Sequence, residues 1–433
     1  MKLSKKYLLL LIAHSFLLAA GTYQNSIELF QTIPQGTEHI FSMYDIRETK
    51  NVLIDMFKHA KKEISLGMFY FENKKNKSID FVLQELIKAA YRGVKIRIVT
   101  DTLFYKQNPK TVDSLSNIKN IDVRLLDMKK LTNGVMHAKY MVIDQQELFL
   151  GSQNFDWVGF EHVHELGVRI RDSALSQTVE AIFNIDWNLA IPIAQINNEK
   201  YKTKKKFKQK NLRNAINKSH PIMIKLQDEI ITIYPAFSPA SLSFLNTESE
   251  ENIITSMMDT AKKNMMIQVM EYSILHENNF IIYNSLEDHI KQASLKKVLV
   301  QCIFSDWSIK YPSFSYIQAL SILPRTFIKV STIPALANIC IPYSRVEHAK
   351  YMLIDDDLTW IGTGNWTYSY FYQCRNIGVY IKSKKINQIV KKLFLADWNG
   401  PYTTAINPLK KYETPNYSCK KIEKIKKTKV ITG

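Results

Sequence analysis

An eight-residue segment that occurs twice, almost unchanged, constrains the fold of this chain more than any other feature. Residues 137–144 read HAKYMVID and residues 348–355 read HAKYMLID, 211 residues apart. The same spacing relates the Asp-Trp dipeptide at 186–187 to that at 397–398, with no insertion or deletion needed in between. Repeats of this length are duplicated domains and not solenoid units. We therefore expect two homologous halves.

Each half is predicted to have an α/β fold. The first half contains strand-like runs (ISLGMFYF, VKIRIVTD, IDVRLLD, HAKYMVID and ELFLGS) and helix-like segments such as SIDFVLQELIKAAYRG. Apolar residues on both faces of these strands predict a mixed β-sheet flanked by helices. Hydrophobic residues make up 46% of the chain and charged residues 23%, which excludes the disordered and fibrous classes.

The positive charge is concentrated in two segments. The net charge is +18, yet residues 200–213 hold eight basic residues and no acidic one, and residues 420–429 hold six lysines and one glutamate. Most of the remaining chain is nearly neutral. Such basic runs are either solvated connectors or sequence-independent contacts with polyanions such as nucleic acid or an anionic lipid surface.

The N-terminal sequence is typical of a secretory signal peptide, because a lysine-rich head precedes a short apolar stretch and the small residues Ala-Ala-Gly at 19–21. We expect export, with a membrane tether through an uncleaved signal anchor as the alternative. The predicted organisation is a signal peptide at 1–21, a first domain at 22–199, a basic linker at 200–215, a second domain at 216–410 and a basic tail at 411–433. Export permits disulfides, although Cys302 is expected to be a buried thiol.

The repeated segment carries residues with catalytic chemistry. In an extended strand residues i and i+2 point to one face, so His137 should project with Lys139, and His348 with Lys350. An imidazole and an ammonium group on one face can act together on an anionic group. Asp144 and its counterpart at 355 have the opposite parity and are expected to act locally, by fixing a turn or orienting a histidine.

A polar turn follows each repeated strand: Gly-Ser-Gln-Asn at 151–154 and Gly-Thr-Gly-Asn at 362–365. Hydroxyl and amide side chains can donate hydrogen bonds to phosphate oxygens. The predicted substrate-binding residues are therefore Ser152, Asn154, Thr363 and Asn365, with Trp366 as a candidate substrate-facing ring.

These residues resemble the H-x-K-x4-D signature of the phospholipase D superfamily, in two copies followed by GSQN and GTGN. Residues 126–167 and 341–371 are similar to the branch that includes lysosomal single-strand exonucleases and poxviral nicking-joining enzymes. The likeness extends from about Ile27 to Pro408. It implies duplicated phospholipase D-type domains that meet as a pseudo-twofold dimer within one chain and share one active site.

The resemblance also implies a catalytic set and a mechanism. The set is His137, Lys139, Asp144, His348, Lys350 and Asp355. One histidine attacks phosphorus to form a phosphohistidine, and the other protonates the leaving oxygen and then activates water. By analogy with the family, His137 is the nucleophile and His348 the general acid. The lysines and asparagines hold the non-bridging oxygens, so the scheme requires neither a metal nor another cofactor.

The segment His162-Val163-His164-Glu165 allows two interpretations. Its histidines could bind zinc, but nothing at metal-ligand spacing supplies a third ligand. The favoured interpretation, taken from the family, is that Glu165 orients a catalytic histidine. The second half has Asn376 at that offset, so the two supports differ.

Three functions are compatible with these observations. The first is a phosphodiesterase acting on single-stranded nucleic acid, favoured by the branch resemblance and the basic segments. The second is hydrolysis or transfer of phospholipid head groups by the same catalytic set. The third, a non-catalytic binding protein, is disfavoured because both motifs and both asparagine turns are intact. Aromatic rings lining the cleft would favour single strands, and an apolar mouth would favour lipid.

Overall fold

The computed structural model describes residues 26–43, 45–196, 207–276, 281–336 and 340–417. The predicted signal peptide, residues 200–206 of the predicted linker and the lysines at 420–429 lie outside the described residues.

The first half contains eleven strands and seven α-helices among its described residues. In chain order they are β1 (Ser26–Thr32), α1 (Glu38–Phe41), β2 (Arg47–Glu48), α2 (Thr49–His59), β3 (Glu63–Met68), β4 (Phe71–Glu72), α3 (Ser78–Tyr91), β5 (Lys95–Asp101), α4 (Thr102–Gln107), α5 (Lys110–Ser116), β6 (Ile121–Leu126), α6 (Met128–Thr132), β7 (Lys139–Ile143), β8 (Glu147–Gly151), β9 (Phe155–Asp156), β10 (Glu165–Arg171), α7 (Ser173–Leu189) and β11 (Ile191–Pro192).

The described part of the second half continues with twelve strands and five α-helices. They are β12 (Ile222–Leu226), β13 (Glu229–Ser238), β14 (Glu248–Ser249), α8 (Glu250–Thr260), β15 (Asn264–Val269), β16 (Leu275–His276), β17 (Ile281–Ile282), α9 (Ser285–Leu295), β18 (Leu299–Ser305), α10 (Ser313–Leu320), β19 (Thr326–Ser331), β20 (Tyr351–Ile354), β21 (Leu358–Gly362), α11 (Tyr368–Tyr372), β22 (Asn376–Lys382), α12 (Lys384–Asn399) and β23 (Thr403–Ala405).

The two large sheets share one central topology. The first has the order β11-β6-β5-β3-β7-β8-β10-β1-β2 and the second β12-β13-β22-β21-β20-β15-β18-β19-β23. In each sheet three parallel strands adjoin an antiparallel run that begins with the repeated strand, β7 or β20. The prediction of duplicated α/β domains with mixed sheets is confirmed.

A hydrophobic core joins the two halves. One cluster of buried apolar side chains includes Leu150 of β8, Val179 of α7, Ile361 of β21 and Val390 of α12. Each fully buried aliphatic side chain of this kind contributes about 1.5–3 kcal/mol of transfer free energy. The halves are therefore held in a fixed relation by the same kind of packing that stabilises each half.

Two backbone crossings between the halves position the repeated segments. The segment before β7 pairs with the segment before β22, where the His137 N–H donates to the Arg375 carbonyl over 3.1 Å. The pseudo-equivalent segments also pair, and the His348 N–H donates to the His164 carbonyl over 2.9 Å. Each motif histidine is thus fixed by backbone from the opposite half.

Each crossing also carries a buried charged pair. Next to His137, Arg375 Nη2 lies 2.6 Å from Asp186 Oδ1, and both side chains are wholly buried. Arg375 Nε also donates to Asp186, while Nη1 and Nη2 donate to the carbonyls of Ser238 and Leu242 in the second half. Next to His348, His164 Nδ1 lies 2.5 Å from Glu347 Oε2. Burial alone lowers the pKa of His164, but the carboxylate of Glu347 raises it above its ordinary value.

A close approach at the first crossing requires glycine. A Cβ atom on Gly134 would lie 2.3 Å from the carbonyl oxygen of Gln373, which no side chain permits. This contact allows α6 and the residues before β22 to meet backbone to backbone.

Parts of the predicted linker and tail pack on the second half. The amide of Leu212 donates to Asn246 Oδ1 over 2.8 Å, and the ring of Phe207 packs against Phe244. Tyr412 packs edge-on against Phe314, and the rings of Tyr417 and Trp307 are 4.7 Å apart. The basic residues Lys208, Lys210 and Arg213 of the linker are exposed, so these contacts leave its charge accessible to solvent. None of the helices within the described ranges has the length and apolar character that a membrane span requires.

Candidate active site

The two H-x-K segments meet at one cavity between the halves. Its volume is about 560 Å³, and it is lined from both halves by His137, Glu165, His348 and the two turn asparagines, Asn154 and Asn365. The crossings described above explain this convergence, because each histidine directly precedes a repeated strand and directly follows a backbone pair with the other half.

His137 is held by an amide. Its Nδ1 lies 3.0 Å from Asn376 Oδ1. The amide orientation is set by its other contacts, since Asn376 Nδ2 donates to the Tyr370 carbonyl over 2.9 Å and Oδ1 accepts from the Thr363 hydroxyl over 3.1 Å. The Nδ1 of His137 therefore carries a proton. Burial and the nearby Lys139 hold the pKa of His137 well below its ordinary value, so the ring is neutral and Nε2 keeps its lone pair.

His348 is held by a carboxyl group. Its Nδ1 lies 2.9 and 2.8 Å from the two carboxyl oxygens of Glu165, which is wholly buried. Burial raises the pKa of Glu165 to about 8, and burial together with Lys350 lowers that of His348 well below its ordinary value. At neutral pH the pair consequently holds one proton between Glu165 and Nδ1, and Nε2 of His348 carries a second proton.

The two motif lysines are buried beneath the histidines. Lys139 Nζ lies 3.0 Å from His137 Nε2 and 2.6 Å from the His137 carbonyl oxygen, and Lys350 Nζ donates to the His348 carbonyl. Neither lysine is exposed to solvent. Burial lowers the pKa of Lys350 to about 7 and that of Lys139 well below its ordinary value. An entering phosphate would favour the charged form of both.

The asparagines of the two turns face the cavity, whereas the hydroxyl residues do not. Asn154 Oδ1 and Asn365 Oδ1 are buried without a hydrogen-bond partner in the described part of the chain. Ser152 is wholly buried and its hydroxyl exchanges hydrogen bonds with the backbone of Leu166. Thr363 is also buried and supports Asn376. The structure therefore corrects the prediction that Ser152 and Thr363 contact substrate: both position the residues behind the histidines.

The motif aspartates lie at the far ends of the repeated strands. Asp144 accepts hydrogen bonds of 2.7–2.9 Å from the backbone amides of residues 61–63. Asp355 does the same with residues 262–264. The strand between each histidine and its aspartate has five residues in β7 and four in β20, at about 3.3 Å each. The catalytic assignment of Asp144 and Asp355 is corrected to a structural one, in agreement with the turn-fixing role that their parity suggested.

Trp366 is also corrected. Its side chain is wholly buried, with its ring centroid 5.9 Å from that of Trp360. The cause is a backbone bridge: the Trp366 amide donates to the Glu271 carbonyl over 2.9 Å and the Trp366 carbonyl accepts from the Ser273 amide. This pairing turns the residue after Asn365 into the core, away from the cavity.

Two rings against His137 were not predicted. The rings of Phe69 and Tyr370 each have their centroid 4.8 Å from that of His137, and Lys139 Nζ lies 4.9 Å from the Phe69 ring. Phe69 directly follows β3, which pairs with β7, so strand adjacency is a signal that could have revealed it. Tyr370 belongs to α11, and sequence periodicity does not predict its contact with His137.

The two histidines of the zinc hypothesis have other partners. His164 contacts Glu347, and the ring of His162 packs edge-on against Trp157. Within the described residues there is no group of three or more His, Cys, Asp or Glu side chains arranged to hold a metal ion.

Comparison with known proteins identifies the family. A family model described as cardiolipin synthase, PLD-like domain, matches residues 53–187 and 246–398, and each matched segment contains one H-x-K-x4-D motif. The chain belongs to the phospholipase D-like family. The resemblance inferred from the motifs is thereby confirmed, and the protein is a phosphodiesterase of this superfamily.

The similar curated proteins include both members of the predicted branch. The 5'-3' exonuclease PLD3 of Xenopus laevis is 29% identical over 418 residues, which cover 89% of this chain and 82% of that protein. The virion nicking-joining enzyme of vaccinia virus (strain Western Reserve) is 26% identical over 414 residues, covering 92% of each. Among solved structures, phosphatidylserine synthase of Haemophilus influenzae Rd KW20 has a TM-score of 0.60 at 13% identity, covering 88% of this chain and 92% of that one. This last likeness shows the fold alone.

Because both histidines line one cavity, each should be needed for every turnover. We expect His137→Ala and His348→Ala each to lower kcat for a phosphodiester such as bis(p-nitrophenyl) phosphate by about 10²-fold or more. The exposed His59, which also precedes a lysine by two residues, provides the control His59→Ala, which should retain full activity. Two independent sites, one in each half, would instead leave about half of the rate in each single variant, and that result would refute the shared cavity.

Proposed function

We propose that this protein hydrolyses phosphodiester bonds of single-stranded nucleic acid through a phosphohistidine intermediate. The observation that carries the proposal is that two histidines in one cavity have unlike partners, an amide for His137 and a carboxyl group for His348. The relatives named an exonuclease and a nicking-joining enzyme, each similar over most of the chain, support a nucleic acid substrate.

The amide partner makes His137 the nucleophile. Because Asn376 Oδ1 accepts the Nδ1 proton, the lone pair of His137 Nε2 is available to attack phosphorus. A bond forms between Nε2 and phosphorus while the bond from phosphorus to the leaving oxygen breaks. Lys139, at 3.0 Å from Nε2, supplies positive charge beside the reacting group.

The carboxyl partner makes His348 the general acid. The leaving oxygen takes the Nε2 proton of His348, and the proton shared with Glu165 moves to Nδ1. His348 Nε2 then has a lone pair and can accept a proton from water. The hydroxide attacks phosphorus, the bond to His137 breaks, and the Nδ1 proton returns to Glu165. The proton count of the site is restored after each cycle.

The charge of the diester is balanced by the chain itself. Lys139 and Lys350 enter from opposite halves, and Asn154 and Asn365 line the cavity, where their amide N–H groups can donate to phosphate oxygens. Preorganised cations and amide donors of this kind stabilise charge that develops on phosphate oxygens. Hydrolysis by this set proceeds without a metal ion.

Aromatic side chains in the cavity wall favour a nucleobase over a lipid chain. The wall includes Phe69, Phe104, Trp307 and Tyr343, and Tyr343 is 60% exposed. Unpaired bases stack on such rings in a sequence-tolerant way, whereas paired bases are inaccessible to them. A single strand is therefore the form of nucleic acid that this wall suits.

Substrate choice is tested by offering the purified protein a fluorescent single-stranded oligonucleotide and a labelled phosphatidylcholine vesicle side by side, both with excess EDTA. We expect cleavage of the oligonucleotide with undiminished rate in EDTA. Release of choline with an intact oligonucleotide would replace the proposed substrate by a phospholipid. Activity that EDTA abolishes and zinc or magnesium restores would refute the histidine-and-lysine mechanism.

We also propose that the protein is exported. The signal-like sequence at 1–21 supports this, as does Cys340, which is disulfide-bonded, because structural disulfides persist in oxidising compartments. N-terminal sequencing of the protein recovered from a secreting cell is expected to begin near Thr22. A mature chain that still begins at Met1 would favour the tethered alternative.

The amide partner of His137 also predicts a pH effect. In Asn376→Asp the new carboxyl group places a proton on the His137–Asp pair, so that below the raised pKa of the pair Nε2 is protonated and cannot attack. The acidic limb of the kcat/KM profile for bis(p-nitrophenyl) phosphate should shift to higher pH by about one unit or more. Asn108→Asp adds the same charge in the wall of the same cavity and should shift the limb far less. An unshifted profile in Asn376→Asp would refute the role of the amide.

A further inference from the structure

A second cavity adjoins the catalytic cavity on the side of the second half. Its volume is about 620 Å³, and we call it the side cavity; Ser273, His276, Lys310, Tyr311, Tyr368 and Tyr370 form part of its wall. Glu271 and Tyr370 line both cavities. Since the Tyr370 ring lies edge-on to His137 with centroids 4.8 Å apart, a chain molecule held at the histidines can continue past Tyr370 into the side cavity.

The wall of the side cavity combines ring faces with hydrogen-bonding groups. Tyr368 is half-buried; its ring stacks on Tyr372 at 4.6 Å with an angle of 18°, and it lies 4.7 Å from the ring of His276 at an angle of 76°. His276 is 7% exposed, and its Nδ1 has no hydrogen-bond partner among the residues that the structure describes. Lys310 is exposed and paired with Glu271 over 2.9 Å. Flat rings beside an unpartnered buried nitrogen suit a planar polar ligand.

We infer that the side cavity binds the unpaired nucleobase of the nucleotide next to the scissile phosphodiester, an inference that rests on the proposed function. The aliphatic members of the wall are Leu103, Val135, Leu275 and Pro312, and four tyrosines, at 272, 311, 368 and 370, line the same cavity. A base stacked on Tyr368 satisfies both the ring face and the buried nitrogen of His276. A paired base could not enter, so the same cavity selects single strands.

The duplication makes this site one-sided. The 211-residue spacing pairs Tyr368 with Trp157 and Tyr370 with Gly159. In the first half Lys74 Nζ lies 3.7 Å over the Trp157 ring, whereas Tyr368 lines the side cavity. On this inference the neighbouring base lies on the side-cavity side of the histidines only.

The inference is tested with the full chain and a series of thymidine oligonucleotides that carry one abasic residue at successive positions. In the parent protein, an abasic residue beside the scissile phosphodiester should raise KM about tenfold, the effect of losing one stacked base. Tyr368→Ala should raise KM for the intact oligonucleotide by the same factor and remove the penalty of the abasic residue at that position. Tyr368→Phe keeps the ring and should keep the parent KM. The exposed Tyr91 supplies the matched control Tyr91→Ala, with all constants unchanged.

The outcomes separate the two proposals. If the parent cleaves bis(p-nitrophenyl) phosphate but no oligonucleotide, the proposed function fails and the side cavity has no nucleobase to bind. If the parent cleaves oligonucleotides but the abasic penalty is the same in Tyr368→Ala, the proposed function stands and the side-cavity inference is refuted. A Tyr368→Phe variant with the KM of Tyr368→Ala would equally refute stacking on the ring. A loss of bis(p-nitrophenyl) phosphate hydrolysis in Tyr368→Ala would show that this variant does not fold. In that case the KM of Tyr368→Phe and the abasic series of the parent protein decide whether a base stacks on the ring.

Discussion

Two lysine side chains, one from each half of the chain, are buried next to the motif histidines, and the joint between the halves follows from the need to hold them there. Neither Lys139 nor Lys350 is exposed, and each donates to the carbonyl of its own motif histidine. Burying an amine is costly unless it is hydrogen-bonded, and burial lowers the pKa of both lysines. The partners here are held by backbone from the other half, so the site exists only when the halves are joined. The wholly buried ion pair of Arg375 and Asp186 joins the two halves at one crossing, and its side chains take no part in the reaction.

The sequence predicted the duplicated α/β fold because the evidence for it is local and repeated. Strand and helix periodicity, the 211-residue spacing and the two motifs all lie within short segments, and the structure reproduces the strands and the long helices at those places. The pairing of His137 with Lys139 followed from strand parity alone, and the same parity separated Asp144 from the site. Family resemblance suggested Glu165, and its contact with His348 is made across the two halves.

The predictions that failed concern residues whose environment is set by distant segments. Trp366 follows a cavity-facing asparagine, but a backbone bridge to residues 271–273, almost a hundred positions earlier, turns its ring into the core. Ser152 and Thr363 have the chemistry of phosphate ligands, yet neighbouring strands bury both hydroxyls. Tyr370 could not be anticipated, because a short helix with no repeated counterpart brings it to His137. Residue type shows what a side chain can do, whereas its exposure depends on pairings that periodicity does not encode.

A duplicated fold provides two equivalent positions for every side chain. Cleavage of a phosphodiester needs a nucleophile at one of the two histidine positions and an acid at the other. Three features are the same in both halves: the backbone crossings, the lysines and the turn asparagines. They can be the same because both sides of a phosphate carry the same charge. The partners of the two histidines have lost it: an amide fixes a lone pair on one ring, and a carboxyl group supplies a proton to the other. The two halves also differ next to the histidines. An ammonium group lies over Trp157 in the first half, whereas the matching Tyr368 in the second half lines the side cavity. Under the proposed mechanism, a few substitutions at matched positions would therefore be sufficient to convert a twofold scaffold into a site in which attack and departure are distinct.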